Sequence, residues 1–226
     1  RRLQRALSYQ ATHDALTGLI NRREFESRLS DALQAVRDDP TVNHVLMYLD
    51  LDQFKVVNDT CGHEAGDRLL KQITSVVQAR IRTADLLARL GGDEFGVLLN
   101  DCSVDTAQRI AENLRQSIRD FRFVWGDRVM NVGVSIGLAE INGSAESPAA
   151  VMSAAVSACV GGWEATGSSR SSAKCRTAIS RARPPSARIC SVVSSSGCRS
   201  GRASGGFTGP RYPLRPEAVK GGPARG

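Results

Sequence analysis

Cysteine never pairs in this sequence. Cys61, Cys102, Cys159, Cys175, Cys190 and Cys198 form no C-x-x-C and no regular spacing, so neither a zinc site nor a disulfide framework is indicated and a reduced, cytoplasmic chain is expected. Long apolar runs are also missing. The most membrane-like stretch, Ala149 to Val160, is short and broken by serines, whereas a spanning helix needs ~18–20 apolar residues. There is no initiating Met and no apolar leader core. The chain opens Arg1-Arg2-Leu3-Gln4, the expectation for a piece of a longer protein. Acidic residues nearly vanish toward the end: residues 161–226 hold 12 Lys+Arg against 2 Asp+Glu, while residues 1–160 carry a net charge of −3. The overall +7 therefore belongs to the tail. A nucleic-acid partner is not expected, because the patterned part of the chain is mildly acidic.

Within 226 residues the first 160 are patterned and the rest are not. Leu3, Ala6 and Leu7 make one stripe over residues 1–12, which suits a helix connecting from an upstream domain. Phe25, Leu29 and Leu33 predict a helix from Arg22 that ends before Pro40. Val45 to Leu49 is a short apolar run that reads as a buried strand, with Asp50 and Asp52 at its exit. Ala65, Leu69, Leu70, Ile73, Val76, Val77 and Ile81 mark an amphipathic helix. Gly91-Gly92 between two apolar stretches signals a hairpin over residues 86–99, with Asp93 and Glu94 just past the turn. Ser103 can cap a helix carrying Ala107, Ile110, Ala111, Leu114 and Ile118. Met130, Val132, Val134, Ile136 and Leu138 alternate with small or polar residues as one strand. This order predicts an α+β layer. Residues 161–226 are 47 of 66 Ser, Gly, Arg, Ala or Pro, a composition that cannot bury enough apolar surface to order a chain.

An acid at a strand end is commonly a solvated turn residue. Here, however, Asp50 at one strand exit and Asp93 past a neighbouring turn can approach at one sheet edge. Hard oxygen ligands placed this way suit Mg²⁺, and Glu94 can complete a two-metal site.

Arg89-Leu90-Gly91-Gly92-Asp93-Glu94-Phe95 resembles the signature of the GGDEF family, the bacterial diguanylate cyclases, which join two GTP into cyclic di-GMP. His13 to Arg23 is similar to the family's opening motif, and Asp50 to Asp59 followed by Gly62 to Asp67 is similar to its central one. The resemblance covers residues 11–158, so domain limits of 1–12, 13–160 and 161–226 are expected. It implies an antiparallel-rich sheet flanked by helices, a nucleotide-cyclase palm with a ferredoxin-like βααββαβ core. It further implies that Asp50, the Leu51 carbonyl and Asp93 hold Mg²⁺, or Mn²⁺ in its place. Glu94 would serve the second metal or take the proton of the attacking hydroxyl. Asn58 and Asp67 would read guanine, whose edge offers donors to a carboxylate and acceptors to an amide. Phe54 and Lys55, with their backbone N–H groups, would meet the phosphates. Arg82 and Asp85 fall in the register of the family's product-inhibition site, to be joined by Arg109 or Arg115. The resemblance also implies a homodimer as the catalytic unit and an upstream sensory domain.

One departure stands out. Family members end with a helix A-D-x-A-L-Y-x-A-K-x-x-G-R-N whose lysine and arginine hold the triphosphate, and here Trp163 and Gly167 stand at those places. Three readings follow: an enzyme with impaired activity; a degenerate module that binds GTP or cyclic di-GMP and regulates a neighbour; or a chain read out of frame after residue 160, since its commonest tail residues all have GC-rich codons.

Overall fold

The longest apolar run of the sequence becomes the middle of the sheet. In the computed structural model, which describes residues 9–164, 178–180 and 189–192, strand β2 (His44–Asp52) is hydrogen-bonded on both sides. One neighbour is β4 (Glu94–Leu99), in register from Val45↔Leu99 to Asp50↔Glu94. The other is β7 (Gly133–Ile141), from His44↔Ile141 to Asp52↔Gly133. The remaining strands extend this trio outward. They are β1 (Ile20–Asn21), β3 (Leu86–Gly91), β8 (Ala178–Ser180) and β9 (Ile189–Val192), and the sheet order is β1-β3-β4-β2-β7-β9-β8. Only β1 with β3 is parallel among these pairings.

Because strand side chains alternate, β2 feeds two cores. Val45, Met47, Leu49 and Leu51 pack with α3 (His63–Gln78) and α4 (Val104–Asp120); Leu46 and Tyr48 pack with α1 (Arg22–Asp38) and α5 (Pro148–Glu164). The short α2 (Phe54–Cys61) follows β2 directly. Asn21 Oδ1 caps α1 by accepting from Glu24 N at 3.0 Å, and Ser103 Oγ caps α4 by accepting from Thr106 N at 3.4 Å, as their residue types favour. Helix α5 lies close on β7 at Gly137. A Cβ there would collide with the Ala155 carbonyl oxygen and stand 2.6 Å from the Cys159 nitrogen.

The succession β2-α2-α3-β3-β4-α4-β7 is the expected βααββαβ core, an antiparallel-rich sheet flanked by helices. Three local expectations need correction. The alternation from Met130 to Leu138 is not one strand: β6 (Arg128–Asn131) pairs with β5 (Arg122–Trp125) in a separate ribbon, and β7 begins after Val132. The hydrophobic face continues through Val132 while the hydrogen-bonding partner changes, and periodicity reports only the face. The hairpin turn lies at Gly92-Asp93 instead of Gly91-Gly92, because a bulge between Arg89 and Gly91 shifts the register; Gly92 takes φ +47, which glycine adopts without strain. The third correction concerns the region after residue 160, where α5 runs on to Glu164 and β8 and β9 form. The side of β7 away from β2 presents main-chain donors and acceptors, and β9 pairs with them from Ile136↔Val192 to Ala139↔Ile189. The rest of that tail and residues 1–8 of the expected connecting helix lie outside the described residues; residues 9–12 are helical.

Candidate functional site

Asp50 and Asp52 continue the Leu46/Tyr48 face of β2 beyond the end of the apolar core. Glu94 sits opposite Asp50 on β4, and Leu51 N donates to the Asp93 carbonyl oxygen at 3.3 Å, which fastens the turn to the strand. Four carboxylates are thereby gathered at one end of the sheet. Burial, then the charges of Asp93, Asp52 and Glu94, push the Asp50 carboxyl up to about 6. Asp52 is also raised, by burial, against a 2.7 Å hydrogen bond from Ser135 Oγ to its Oδ1. Its other oxygen, Oδ2, is buried and without a hydrogen-bond partner among the described residues.

Two neighbours complete this environment. The buried Tyr48 hydroxyl donates to Glu94, and burial together with that bond raises its pKa. Cys159, buried on α5, is pushed up to about 12 by burial and by Asp50, Asp52 and Glu94. A cluster of carboxylates that raises the pKa of its own member Asp50 is the chemistry that a hard divalent ion answers. Among the described residues no three His, Cys, Asp or Glu side chains converge as a ready metal cage. Mg²⁺ requires none, since it commonly binds through one or two carboxylates, waters and substrate phosphates. The donor set fits that ion.

Beyond Asp52 the chain turns sharply. Gln53 has φ +63, a left-handed conformation uncommon outside glycine, and it starts α2 so that the first N–H groups, Phe54 and Lys55 among them, face the strand exit without intrahelical acceptors. Phe54 is half-buried and Lys55 exposed. Asn58 lies on α2 and Asp67 in the first turns of α3, exposed. The Asn58 side chain rests against the α3 backbone at Gly66, one residue before Asp67. The two proposed guanine readers therefore share one corner.

Arg82 and Asp85 lie at the opposite end of β3 from the acidic turn, ~20 Å away at about 3.3 Å per residue. Arg82 is exposed, whereas Asp85 is buried, its Oδ2 accepting from Arg82 N at 2.9 Å and its Oδ1 from Asn100 N at 3.2 Å. Of the two further arginines, Arg109 is exposed and bonded to the Asp105 carbonyl, and Arg115 is buried in an ion pair with Glu112. Trp163 falls in the last turn of α5; Gly167 lies outside the described residues.

Sequence reasoning passed over a clamp. Arg89 donates from Nε and Nη2 to the Gly92 carbonyl at 3.0 and 2.8 Å, and from Nη1 to Asp14 Oδ1 and Oδ2 at 3.1 and 3.2 Å. Asp14 also accepts from the Thr17 N–H and hydroxyl. Burial raises the Asp14 carboxyl, but the Thr17 and Arg89 bonds outweigh it and hold it below the ordinary carboxylate value. The turn carrying Asp93 is thus tied to the opening motif. Tyr48, Ser135 and Cys159 were also unmarked, and only their place on the acidic face of the sheet, or on the helix packed over it, reveals them.

The chain matches the family model described as Diguanylate cyclase, GGDEF domain over residues 11–162. It is 47% identical over 159 residues to the probable diguanylate cyclase DgcE of Escherichia coli (strain K12), covering 70% of this chain and 14% of that protein. Its fold resembles the coiled coil and GGDEF domain of DgcB from Caulobacter crescentus, solved in complex with c-di-GMP (TM-score 0.66, 27% identity, 73% of this chain and 88% of the other). It also resembles the GGDEF domain of TpbB from Pseudomonas aeruginosa (TM-score 0.63, 37% identity, 68% and 90%). The chain spans 14% to 39% of the length of the first curated relatives it matches. Among the described residues no helix is long and apolar enough to cross a membrane. With its motifs in order and its acids gathered at the β2 and β4 ends, the chain belongs to the GGDEF domain family of diguanylate cyclases.

Proposed function

We propose that this chain is the cyclase module of a longer cytoplasmic signalling protein and condenses two GTP into cyclic di-GMP, with release of pyrophosphate. The observation that carries the reading is the gathering of Asp50, Asp52, Asp93 and Glu94 beside the open N-terminus of α2. Asp50, Asp93 and the Leu51 carbonyl would hold Mg²⁺, with Mn²⁺ its substitute and Glu94 at a second ion, and the metal would neutralise triphosphate charge. Backbone N–H groups at Phe54 and Lys55 orient the phosphates, while Asn58 and Asp67 select guanine. Two copies meet face to face, each holding one GTP. The 3′-oxygen of one bonds to the α-phosphorus of the other, the bond to the β-phosphate breaks, and the hydroxyl proton passes to Glu94. A second, reciprocal transfer closes the ring. Positioning and charge compensation are the whole of such catalysis. Arg82 and Asp85 would bind product away from the reacting centre.

Calorimetry with GTP and Mg²⁺ tests the site. Binding by the parent chain and its loss in Asp50→Ala and Asp93→Ala is expected; unchanged affinity in both variants overturns the assignment. Trp163 and Gly167 in place of lysine and arginine support a second reading, a regulatory module that binds nucleotide with little turnover. Loss of two cationic contacts to a triphosphate typically slows such a reaction by more than tenfold, since ~1.4 kcal/mol is one decade. Cyclic di-GMP formation should therefore rise sharply when residues from 155 onward are rebuilt as A-D-x-A-L-Y-x-A-K-x-x-G-R-N with a closing strand. Binding without turnover in both forms favours the regulatory module.

A further inference from the structure

We propose that Gly66 is a specificity-determining position: its missing side chain lets Asn58 lie across the first turns of α3 beside Asp67, and so sets where the Asn58 amide meets a purine edge. This rests on the guanine-reading role given to Asn58 and Asp67 above. Gly66 is buried within α3, and its N–H donates to the Gly62 carbonyl at 3.3 Å. It is not among the positive-φ glycines, so no backbone conformation demands glycine here. Helix propensity would favour alanine. The space explains the residue. A Cβ at position 66 would collide with Asn58 Oδ1 and stand 3.0 Å from Asn58 Cγ and 3.1 Å from Phe54 Cζ. The obstacle is mainly the tip of a side chain, so the helix can accept alanine by displacing the Asn58 amide. No hydrogen bond to that amide is found among the described residues; its close approach to Gly66 is what marks its position.

Glycine at 66 is therefore part of the reading of the base, through Asn58, and not merely a means of packing α2 against α3. The two roles separate in a double-mutant cycle, measured by calorimetry with GTP or ATP in Mg²⁺ and by urea unfolding. Gly66→Ala should fold with a midpoint close to the parent and bind GTP roughly tenfold more weakly, the scale of one hydrogen bond left unmade. ATP affinity should hardly change, so the GTP preference falls. Asn58→Ala should show the same loss, and adding Gly66→Ala to it should weaken GTP no further. If Gly66→Ala fails to fold, the proposal stands only if the Asn58→Ala/Gly66→Ala pair folds; failure of both means that the glycine serves packing alone and overturns it. Equal loss for GTP and ATP, or parent-like GTP binding by Gly66→Ala, overturns it too. A parent chain that binds no GTP overturns the guanine-reading role itself, and this proposal with it.

Discussion

Replacing Gly137 by alanine should loosen the whole domain, although alanine is the smaller change in chemistry. The added Cβ meets the main chain of α5, standing 2.6 Å from the Cys159 nitrogen where ordinary contact begins at 3.4 Å. No side-chain rotation relieves that, so α5 must retreat from β7 by about 0.8 Å or more. A gap of 0.5–1 Å forfeits roughly a quarter to a half of each van der Waals contact it opens. The contacts at stake belong to Val151, Met152, Ala155 and Cys159, all buried against β2 and β7. Overpacking of this kind typically costs ~1–3 kcal/mol, and the reduced freedom of the unfolded chain returns only ~0.4–1 kcal/mol. A net loss of about 1.3 kcal/mol should lower the urea midpoint by about 0.6 M at an m-value near 2 kcal/mol/M. Trimming Cys159 to alanine should not rescue it, because the obstacles are an oxygen and a nitrogen of the backbone. The same retreat uncovers Asp50, whose pKa burial raises most; its carboxyl resonance should therefore titrate lower in the variant. A midpoint within roughly 0.2 M of the parent, well inside the usual extrapolation uncertainty, would refute the close packing of α5 on β7.

Asp50 gives a pH prediction. Its carboxyl titrates at about 6 in the folded chain against an ordinary 3.8, so ionisation is disfavoured by folding: stability falls as pH rises from about 4 to 6, and the loss is complete above that. Asp50→Asn in metal-free buffer should raise the unfolding free energy from urea titration at pH 8 by about 1–2 kcal/mol and change it little at pH 4. Arg89→Ala removes the guanidinium that holds the Gly92 carbonyl and Asp14, so a loss of ~1–3 kcal/mol in chemical unfolding is expected; Arg89→Lys should recover only part of it, lacking the planar fork. Asp85→Ala strands two backbone N–H groups and should lower stability by ~1–3 kcal/mol. Arg82→Ala, an exposed change that keeps its own N–H, should stay within about 0.5 kcal/mol yet lose cyclic di-GMP binding in calorimetry if the product-site proposal holds.

The elements built on strong periodicity were legible before any coordinates. The stripe Phe25, Leu29, Leu33 is the buried face of α1, and Val45 to Leu49 is the sheet's centre. What escaped was whatever depends on partners distant in sequence. Nothing near Arg89 announces Asp14, 75 residues away. The end of β6 was absorbed into a longer alternation because Met130 obeys the same face rule as β7, and its partner β5 went unmarked. The bulge at Leu90 moved the turn by one residue. Of the candidate site, Asp50 and Asp93 could be placed at one sheet edge from a strand exit and a turn, with Glu94 beside them. Ser135, Tyr48 and Cys159 could not, since each becomes relevant only through its position on the shared face. Gly66 did leave a signal: a lone glycine inside an otherwise strong helical pattern calls for a packing reason.

Strand β2 is paired with β7 along its whole length and with β4 from Val45 to Asp50, and Asp50 has a ladder partner on each side, Glu94 and Ser135. To move that carboxylate appreciably, two rows of main-chain hydrogen bonds must open, an event close in free energy to unfolding the domain. Amide protons at positions 45–51 should accordingly exchange only by global opening. Control that leaves the domain folded cannot work by moving Asp50 within one copy. Under the two-copy reaction proposed above, what stays adjustable is the placement of one rigid half-site opposite another, so that switching would become a matter of encounter geometry between two preformed surfaces.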